Sequence, residues 1–242
     1  MDLEPQRQAI QPLLDERQPA DALASYYAFY HPDQKTSLVL YPPAAKTARG
    51  YIAVSRTGFD LFRPLLTMRL PLEEEADAEL IQSALPADAP AILIAPESHG
   101  PILNALFNVQ TENRLHVLVL DRGRFQPVIN VLVTQEKTPD GLPRFIIRSR
   151  EGKNHVVASA GINWQTPLFA EISVFTESDQ RRQGWGRSVV AALCQHILDS
   201  GRTPLYTVDE SNRPSLKLAE STGFVDLGIR QHLFQATRSN LI

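Results

Sequence analysis

The stretch Gln180-Arg181-Arg182-Gln183-Gly184-Trp185-Gly186 is followed at once by Arg187-Ser188-Val189-Val190-Ala191-Ala192-Leu193-Cys194-Gln195-His196-Ile197-Leu198. The helix expected from Trp185 to Asp199 carries Trp185, Val189, Leu193 and Ile197 at four-residue spacing, the stripe of a helix with one buried side. The β-patterned segment Leu168–Thr176 precedes the polar turn. Strand, glycine-containing turn, helix is an order that presents unpaired backbone N–H groups and a positive helix end to an anion, most naturally a phosphate. It lacks G-x-G-x-x-G and the Gly-Lys-Ser/Thr of a P-loop, so neither dinucleotide fingerprint nor P-loop is present.

Working outward, Ala91–Ala95, Leu115–Leu120, Val128–Thr134, Phe145–Ser149, His155–Trp164, Pro204–Val208 and Val225–Phe234 read as strands. Connections at Glu151-Gly152-Lys153-Asn154 and Gln165-Thr166-Pro167 are short enough for antiparallel neighbours. Asn212–Thr222 is a helix, with Ser211 or Asn212 as N-cap, Pro214 in the first turn and Gly223 past the end. Upstream, residues 1–30 are helical, and Ser37–Tyr41, Gly50–Ser55 and Phe59–Leu70 are strands. Pro71-Leu72-Glu73-Glu74-Glu75 opens a helix to about Leu85, with the proline in its first turn and the glutamates as a solvated start. A further helix runs through Ile102, Leu103, Leu106 and Phe107. No internal repeat is legible. The expected class is α/β (α+β): a mixed, mostly antiparallel sheet flanked by helices, in domains 1–125 and 126–242.

Asn212-Arg213-Pro214-Ser215, Leu218-Ala219 and Gly223-Phe224 supply a second landmark. Together with Arg181-Arg182-Gln183-Gly184-Trp185-Gly186 they make residues 128–235 resemble the GCN5-related N-acetyltransferase (GNAT) superfamily. Its cofactor loop reads Gln/Arg-x-x-Gly-x-Gly/Ala, and a later helix reads Asn-x-x-Ala/Ser-x-x-Leu-Tyr-x-x-x-Gly-Phe. The two-part layout looks like the glycine N-acyltransferase branch, in which a comparable domain precedes the core. The resemblance implies a GNAT-like C-terminal domain that uses acetyl-CoA as co-substrate, without a metal, after a smaller α/β domain. That first domain would be a degenerate GNAT-like half shaping the acceptor cleft.

On that resemblance Val174, Phe175, Thr176, Arg181, Arg182, Gln183, Gly184, Trp185, Gly186, Arg187, Ser188, Asn212 and Ser215 are the cofactor-binding candidates. Glu171 is the only acid between Phe169 and Phe175 and shares their face, a setting that raises a carboxyl pKa; it is the candidate general base. The family's usual acid, a tyrosine, is replaced by Ala219, which leaves Tyr206 on the intervening strand as the substitute. The expected activity is acetyl transfer from acetyl-CoA to a primary amine of a small molecule or amino acid; the alternative is a CoA-binding or sensor module without turnover.

Composition narrows the rest. The formal charge of −3 gives no electrostatic case for nucleic acid or an anionic membrane. Apolar strings such as Val117–Leu120 are too short to span a bilayer, and Met1–Gln6 has no signal-peptide core. A single cysteine, Cys194, excludes an intrachain disulfide and is expected as a packed thiol in a cytoplasmic protein. Ser98-His99-Gly100 lacks the G-x-S-x-G elbow of a hydrolase, and the six histidines have no paired metal spacing.

Overall fold

The computed structural model describes residues 3–58, 60–139, 141–149 and 155–240. Two compact units divide the chain: Met1–Leu115 with Arg230–Ile242, and His116–Ile229. The division set from sequence, 1–125 and 126–242, is a cut at one point; the units divide at two, because the end of the last strand belongs to the first unit. Both have a mostly antiparallel sheet with helices packed on it.

In the first unit, α1 (Glu4–Ile10) and α2 (Ala22–Ser25), which continues as a π-helical turn over Tyr26–Tyr30, precede β1 (Thr36–Tyr41), β2 (Gly50–Ser55) and β3 (Leu65–Arg69). Then come α3 (Glu74–Ala84), β4 (Pro90–Pro96), α4 (Gly100–Leu106) and β5 (Phe107–Leu120). Strand order is β1-β2-β3-β4, and only the β3–β4 pair is parallel. Side-chain alternation on β2 sends Tyr51 and Ala53 to the α1–α2 side and Ile52 to the opposite side, with Leu66, Leu80, Ile81 and Leu103. A sheet covered on both faces needs apolar residues on both.

The second unit holds β6 (Thr134–Lys137), β7 (Pro143–Arg148), β8 (Val156–Gln165), β9 (Phe169–Thr176), α5 (Trp185–Asp199), β10 (Thr203–Asp209), α6 (Arg213–Thr222) and the start of β11 (Phe224–Arg238). Its order is β10-β9-β8-β7-β6, and only β9–β10 is parallel. Val189, Val190, Leu193 and Ile197 of α5 pack with Ile147, Val157 and Ile172 of the sheet. Cys194 joins that core, fully buried, and burial pushes its thiol pKa up.

Four sequence readings need correction. Val128–Thr134 is not a strand: 128–133 is irregular, and the polar Thr134–Lys137 makes the ladder with Pro143–Ile146. Thr138 fixes that hairpin, its N–H donating to the Leu142 carbonyl (2.9 Å) and its Oγ1 accepting from the Leu142 N–H (3.1 Å). Phe59–Leu70 shrinks to Leu65–Arg69, because the Asp60 carboxylate accepts the N–H groups of Phe62 and Arg63 and turns the chain; Phe59 lies outside the described residues, as does the connection 151–154. Pro71 stands before α3, whose N-cap is Glu73. Leu115–Leu120 is only the end of the longer β5.

A repeat is present after all. Each unit has a run of antiparallel strands, three in the first and four in the second, then a helix crossing to a parallel strand, a second helix and a long last strand. The last strands are exchanged: β11 pairs with β4 through Gln231–Thr237, and β5 lies beside β10. Residues echo this. Glu97-Ser98-His99-Gly100-Pro101 opens α4 and Glu210-Ser211-Asn212-Arg213-Pro214 opens α6, while Arg114-Leu115-His116 and Arg230-Gln231-His232 lie on the exchanged strands. In the first unit His232 meets Glu112 (2.5 Å) and faces Glu97 (3.9 Å); in the second, His116 meets Asp226 (3.3 Å) and faces Glu210 (3.9 Å). The same triad is thus built twice, each time with a borrowed histidine.

Gly223 ends α6 at φ +107°, and a Cβ there would lie 2.9 Å from the Phe125 backbone. Gly223→Ala should therefore cost about 2 kcal/mol or more and lower the thermal midpoint by roughly 4 °C or more, read by circular dichroism.

Candidate active site

The second unit contains a cleft of about 860 Å³ between the end of β9, the turn after it, the start of α5 and α6. Its origin is the sheet. The parallel ladder between β9 and β10 spans only Phe169–Glu171 with Thr203–Leu205, and ends there. Beyond Glu171, β9 continues to Val174, Phe175 and Thr176, which line the cleft. Two strands that stop pairing leave backbone N–H and C=O groups for a third, extended chain.

At the phosphate end, a short 3₁₀ turn (Ser178–Gln180) leads into Arg181 and Arg182. Arg182 has φ +66° and Gly184 φ +78°. Left-handed residues so spaced turn successive amides toward one side, the geometry of an anion nest. Gly184 is required for its φ, since a Cβ there would meet nothing within 4 Å. Gly186 is required for space, since its Cβ would lie 3.1 Å from Thr176 Oγ1 and 3.5 Å from Leu218 across the cleft. No acceptor is found among the described residues for the N–H groups of Trp185, Gly186 and Arg187, whereas Ser188 N–H bonds back to Gly184 (3.0 Å). Arg187 also turns a buried, unpartnered Nε–H into this region. Trp185 both lines the cleft and packs on the core. A donor set of this kind fits a pyrophosphate.

Of the cofactor-binding candidates, Val174, Phe175, Thr176, Arg181, Arg182, Gly184, Trp185, Gly186, Arg187, Asn212 and Ser215 line the cleft. Gln183 and Ser188 do not: the Gln183 amide donates to Gln180 (3.1 Å), and the Ser188 hydroxyl donates to the Gly184 carbonyl (3.2 Å). Asn212 caps α6, its Oδ1 accepting from Ser215 N–H at 3.2 Å. Sequence reasoning missed Arg213, Lys217, Leu218 and Ser221 on the cleft wall. Their spacing along one helix face was the available signal.

Glu171 is buried (9% exposed) at the last rung of the β9–β10 ladder. Burial raises its pKa, and side-chain hydrogen bonds from Thr207, Asn163 and Trp164 only partly offset the rise; the Asn163 amide donates at 3.1 Å. It does not line the cleft but lies on the same strand, roughly 10 to 16 Å from Val174–Thr176 at about 3.3 Å per residue. Tyr206 is also buried, its ring beside Phe224 and its hydroxyl donating to Ser215 Oγ at 3.2 Å; burial raises its pKa. Tyr206 reaches the cleft only through Ser215. Ala219 is fully buried in the core, one turn after the cleft-lining Ser215.

The corresponding place in the first unit is closed. Leu70 N–H, just past β3, donates to His99 Nε2 (3.1 Å), and Leu72 N–H donates to Asp77 (3.1 Å), ahead of the acidic Glu73, Glu74 and Glu75. With Nε2 accepting, His99 carries its proton on Nδ1, 3.1 Å from Ser98 Oγ, and cannot deprotonate that serine. Burial and the Arg69 cation hold the ring pKa down at about 4. Among the described residues no group of three His, Cys, Asp or Glu side chains is placed to hold a metal, and no helix is long and apolar enough to cross a membrane.

Residues 155–233 match the family model described as FR47-like protein. No protein in the curated collection matches the chain. Among solved structures the chain is similar to a GCN5-related N-acetyltransferase from Kribbella flavida, at 12% identity over 89% of this chain and 93% of that one, with TM-score 0.62. It is similar to an acetyltransferase from the GNAT family from Colwellia psychrerythraea, at 13% identity over 99% and 98%, with TM-score 0.58. A tandem GNAT protein from the clavulanic acid biosynthesis pathway matches at 13% identity over 96% and 93%, with TM-score 0.60. At such identities the structural likeness is one of fold. The family match falls on the segment that carries the cleft, and the fold shared with these acetyltransferases over nearly the whole chain is GNAT-like.

Gly186→Val should weaken CoA binding by roughly 100-fold or more, the loss of about two charge-assisted hydrogen bonds, with the fold retained; calorimetry and circular dichroism check both halves. Gly184→Ala, strained but not crowded, should cost about 1 to 2 kcal/mol of stability in urea denaturation.

Proposed function

We infer that the chain is an N-acyltransferase moving an acetyl group from acetyl-CoA to a primary amine of a small molecule or amino acid. The observation that carries this reading is the position of Glu171: a buried carboxylate with a raised pKa, at the point where the β9–β10 ladder ends, on the strand that continues into the anion-binding cleft. Arg181, Arg182, Arg187 and the amides of 185–187 would hold the pyrophosphate, and the open edges of β9 and β10 the pantetheine arm. Acetyl-CoA supplies an acyl group activated as a thioester.

An amine attacks only when neutral, and an ammonium reaching the end of the β9–β10 ladder must first lose a proton. Glu171 takes that proton, directly or through a water molecule. Its elevated pKa makes it a stronger base than a solvated glutamate, and the Asn163 amide fixes its orientation. On the leaving side, Tyr206 donates to Ser215 Oγ, which directs the Ser215 hydroxyl proton toward the cleft, where it can meet the developing thiolate. Tyr206 is in this account a positioning residue.

A second reading, a CoA-binding module without turnover, is favoured by Ala219: no tyrosine lines the cleft among the described residues. Glu171→Gln separates the two. In an enzyme it should lower kcat by about 10² to 10⁴ while leaving CoA affinity unchanged, followed by release of free thiol from acetyl-CoA across an amine panel. Absence of thiol release with every amine, despite CoA binding, favours the module.

Glu171 also carries a stability signature. A carboxyl whose pKa is higher folded than unfolded contributes stability that is present below the unfolded value and lost as pH rises through the folded value. Glu171→Gln should therefore be as stable as the parent chain near pH 4 and more stable at pH 7, measured as urea midpoints at the two pH values.

A further inference from the structure

On the face of the second unit's sheet turned away from α5, three residues of β8 stand in a row: Ser159, Gly161 and Asn163. The first two alternate with Ala158, Ala160 and Ile162, which share the core with α5, and a register shift after Ile162 brings Asn163 to the same side as Glu171. Each end of the row holds a charge. Asn163 donates to the Glu171 carboxylate (3.1 Å), and Ser159 Oγ accepts from the Arg144 guanidinium (3.1 Å). Between them stands a residue without a side chain.

Arg144 is half-buried and forms no ion pair among the described residues. Glu136 lies opposite it across the β6–β7 ladder but is bonded to Arg148 instead (2.7 Å). Ser159 takes one of the five N–H donors of the guanidinium, and among the described residues no carboxylate takes another. A planar fork with open donors is suited to a carboxylate brought by a ligand. The floor between the two charges also admits one. A carbon set on Gly161 in the place of Cβ would have Arg144 Cγ and the Pro143 carbonyl oxygen at 3.9 Å and Ser173 Oγ at 4.0 Å, ordinary van der Waals distances, so an alkyl chain can lie there.

The length of the row sets the length of the ligand. Ser159 and Asn163 are four residues apart, roughly 13 Å along the strand. A hydrogen bond of about 3 Å at either end leaves about 7 Å between the two charges of a molecule laid along it, the span of an amine and a carboxylate joined by about five methylene groups. An α-amino acid is too short to engage both ends. We propose that the acceptor is an ω-amino acid of this length, its carboxylate on Arg144, its methylenes over Gly161 and its amine at Glu171. This rests on the acyltransferase reading with Glu171 as base, and it narrows the acceptor class. Arg144 and Gly161 are then specificity-determining residues. A diamine would set a second cation against Arg144 and is a poor acceptor.

Thiol release from acetyl-CoA by the full chain, with 6-aminohexanoate, hexylamine and glycine as acceptors, tests the assignment alongside Arg144→Gln and Gly161→Val. Gly161 is not left-handed, so a β-branched residue suits its backbone. In the parent chain kcat/KM for 6-aminohexanoate should exceed that for each of the other two by about tenfold or more. Arg144→Gln should bring the ratio of 6-aminohexanoate to hexylamine to about one. Gly161→Val should lower kcat/KM for 6-aminohexanoate by about tenfold or more, with CoA affinity unchanged in calorimetry as the check that the fold is intact. A parent chain that uses hexylamine or glycine as well as 6-aminohexanoate, a preference that survives Arg144→Gln, or an undiminished rate in Gly161→Val overturns the inference and leaves the acyltransferase reading standing. No thiol release with any amine of a wider panel overturns both.

Discussion

The structure depends on a parallel ladder that stops early. Between β9 and β10 only Phe169–Glu171 and Thr203–Leu205 are paired. A backbone that stops hydrogen bonding to its neighbour must find other partners, and the widening gap provides them to whatever lies along it. The same divergence puts Glu171 at the apex and carries Val174–Thr176 to the mouth, opposite α6. α5 begins where β9 has delivered the chain, so its free amides face the same opening. The cradle and the candidate base are consequences of one topological event.

The first unit shows what that event yields without the right side chains. Its β3–β4 ladder is parallel and also short, Leu65–Thr67 with Ile92–Ile94. Yet His99 occupies the Leu70 amide, Asp77 the Leu72 amide, and three glutamates surround the start of α3. An anion would find carboxylates where the second unit offers arginines. The repeated topology thus supports two different outcomes, and local chemistry decides between them.

Much of the second unit was legible in the sequence. Trp185–Asp199 is a helix with those bounds, because four-residue spacing of apolar residues admits few alternatives. Asn212 and Gly223 cap α6 as their types require. The errors have physical causes. Val128–Val133 has strand propensity, but propensity makes no strand without a partner, and the Thr138 turn gives the partner to Thr134–Lys137 instead. The repeat escaped because its echoes, Glu-Ser-His/Asn-x-Pro and Arg-x-His, are short and belong to exchanged strands. At the site, the glycines and arginines of the loop were readable from type and spacing. The burial of Glu171, the dependence of Tyr206 on Ser215 and the cationic face of α6 were not, since each arises from neighbours distant in sequence.

The central claim is that one cleft, in the second unit, takes CoA, and that its topological counterpart does not. The number of CoA molecules bound per full-length chain, measured by calorimetric titration at neutral pH, tests it most directly. The account predicts a single site per chain; two sites, or none, would contradict it.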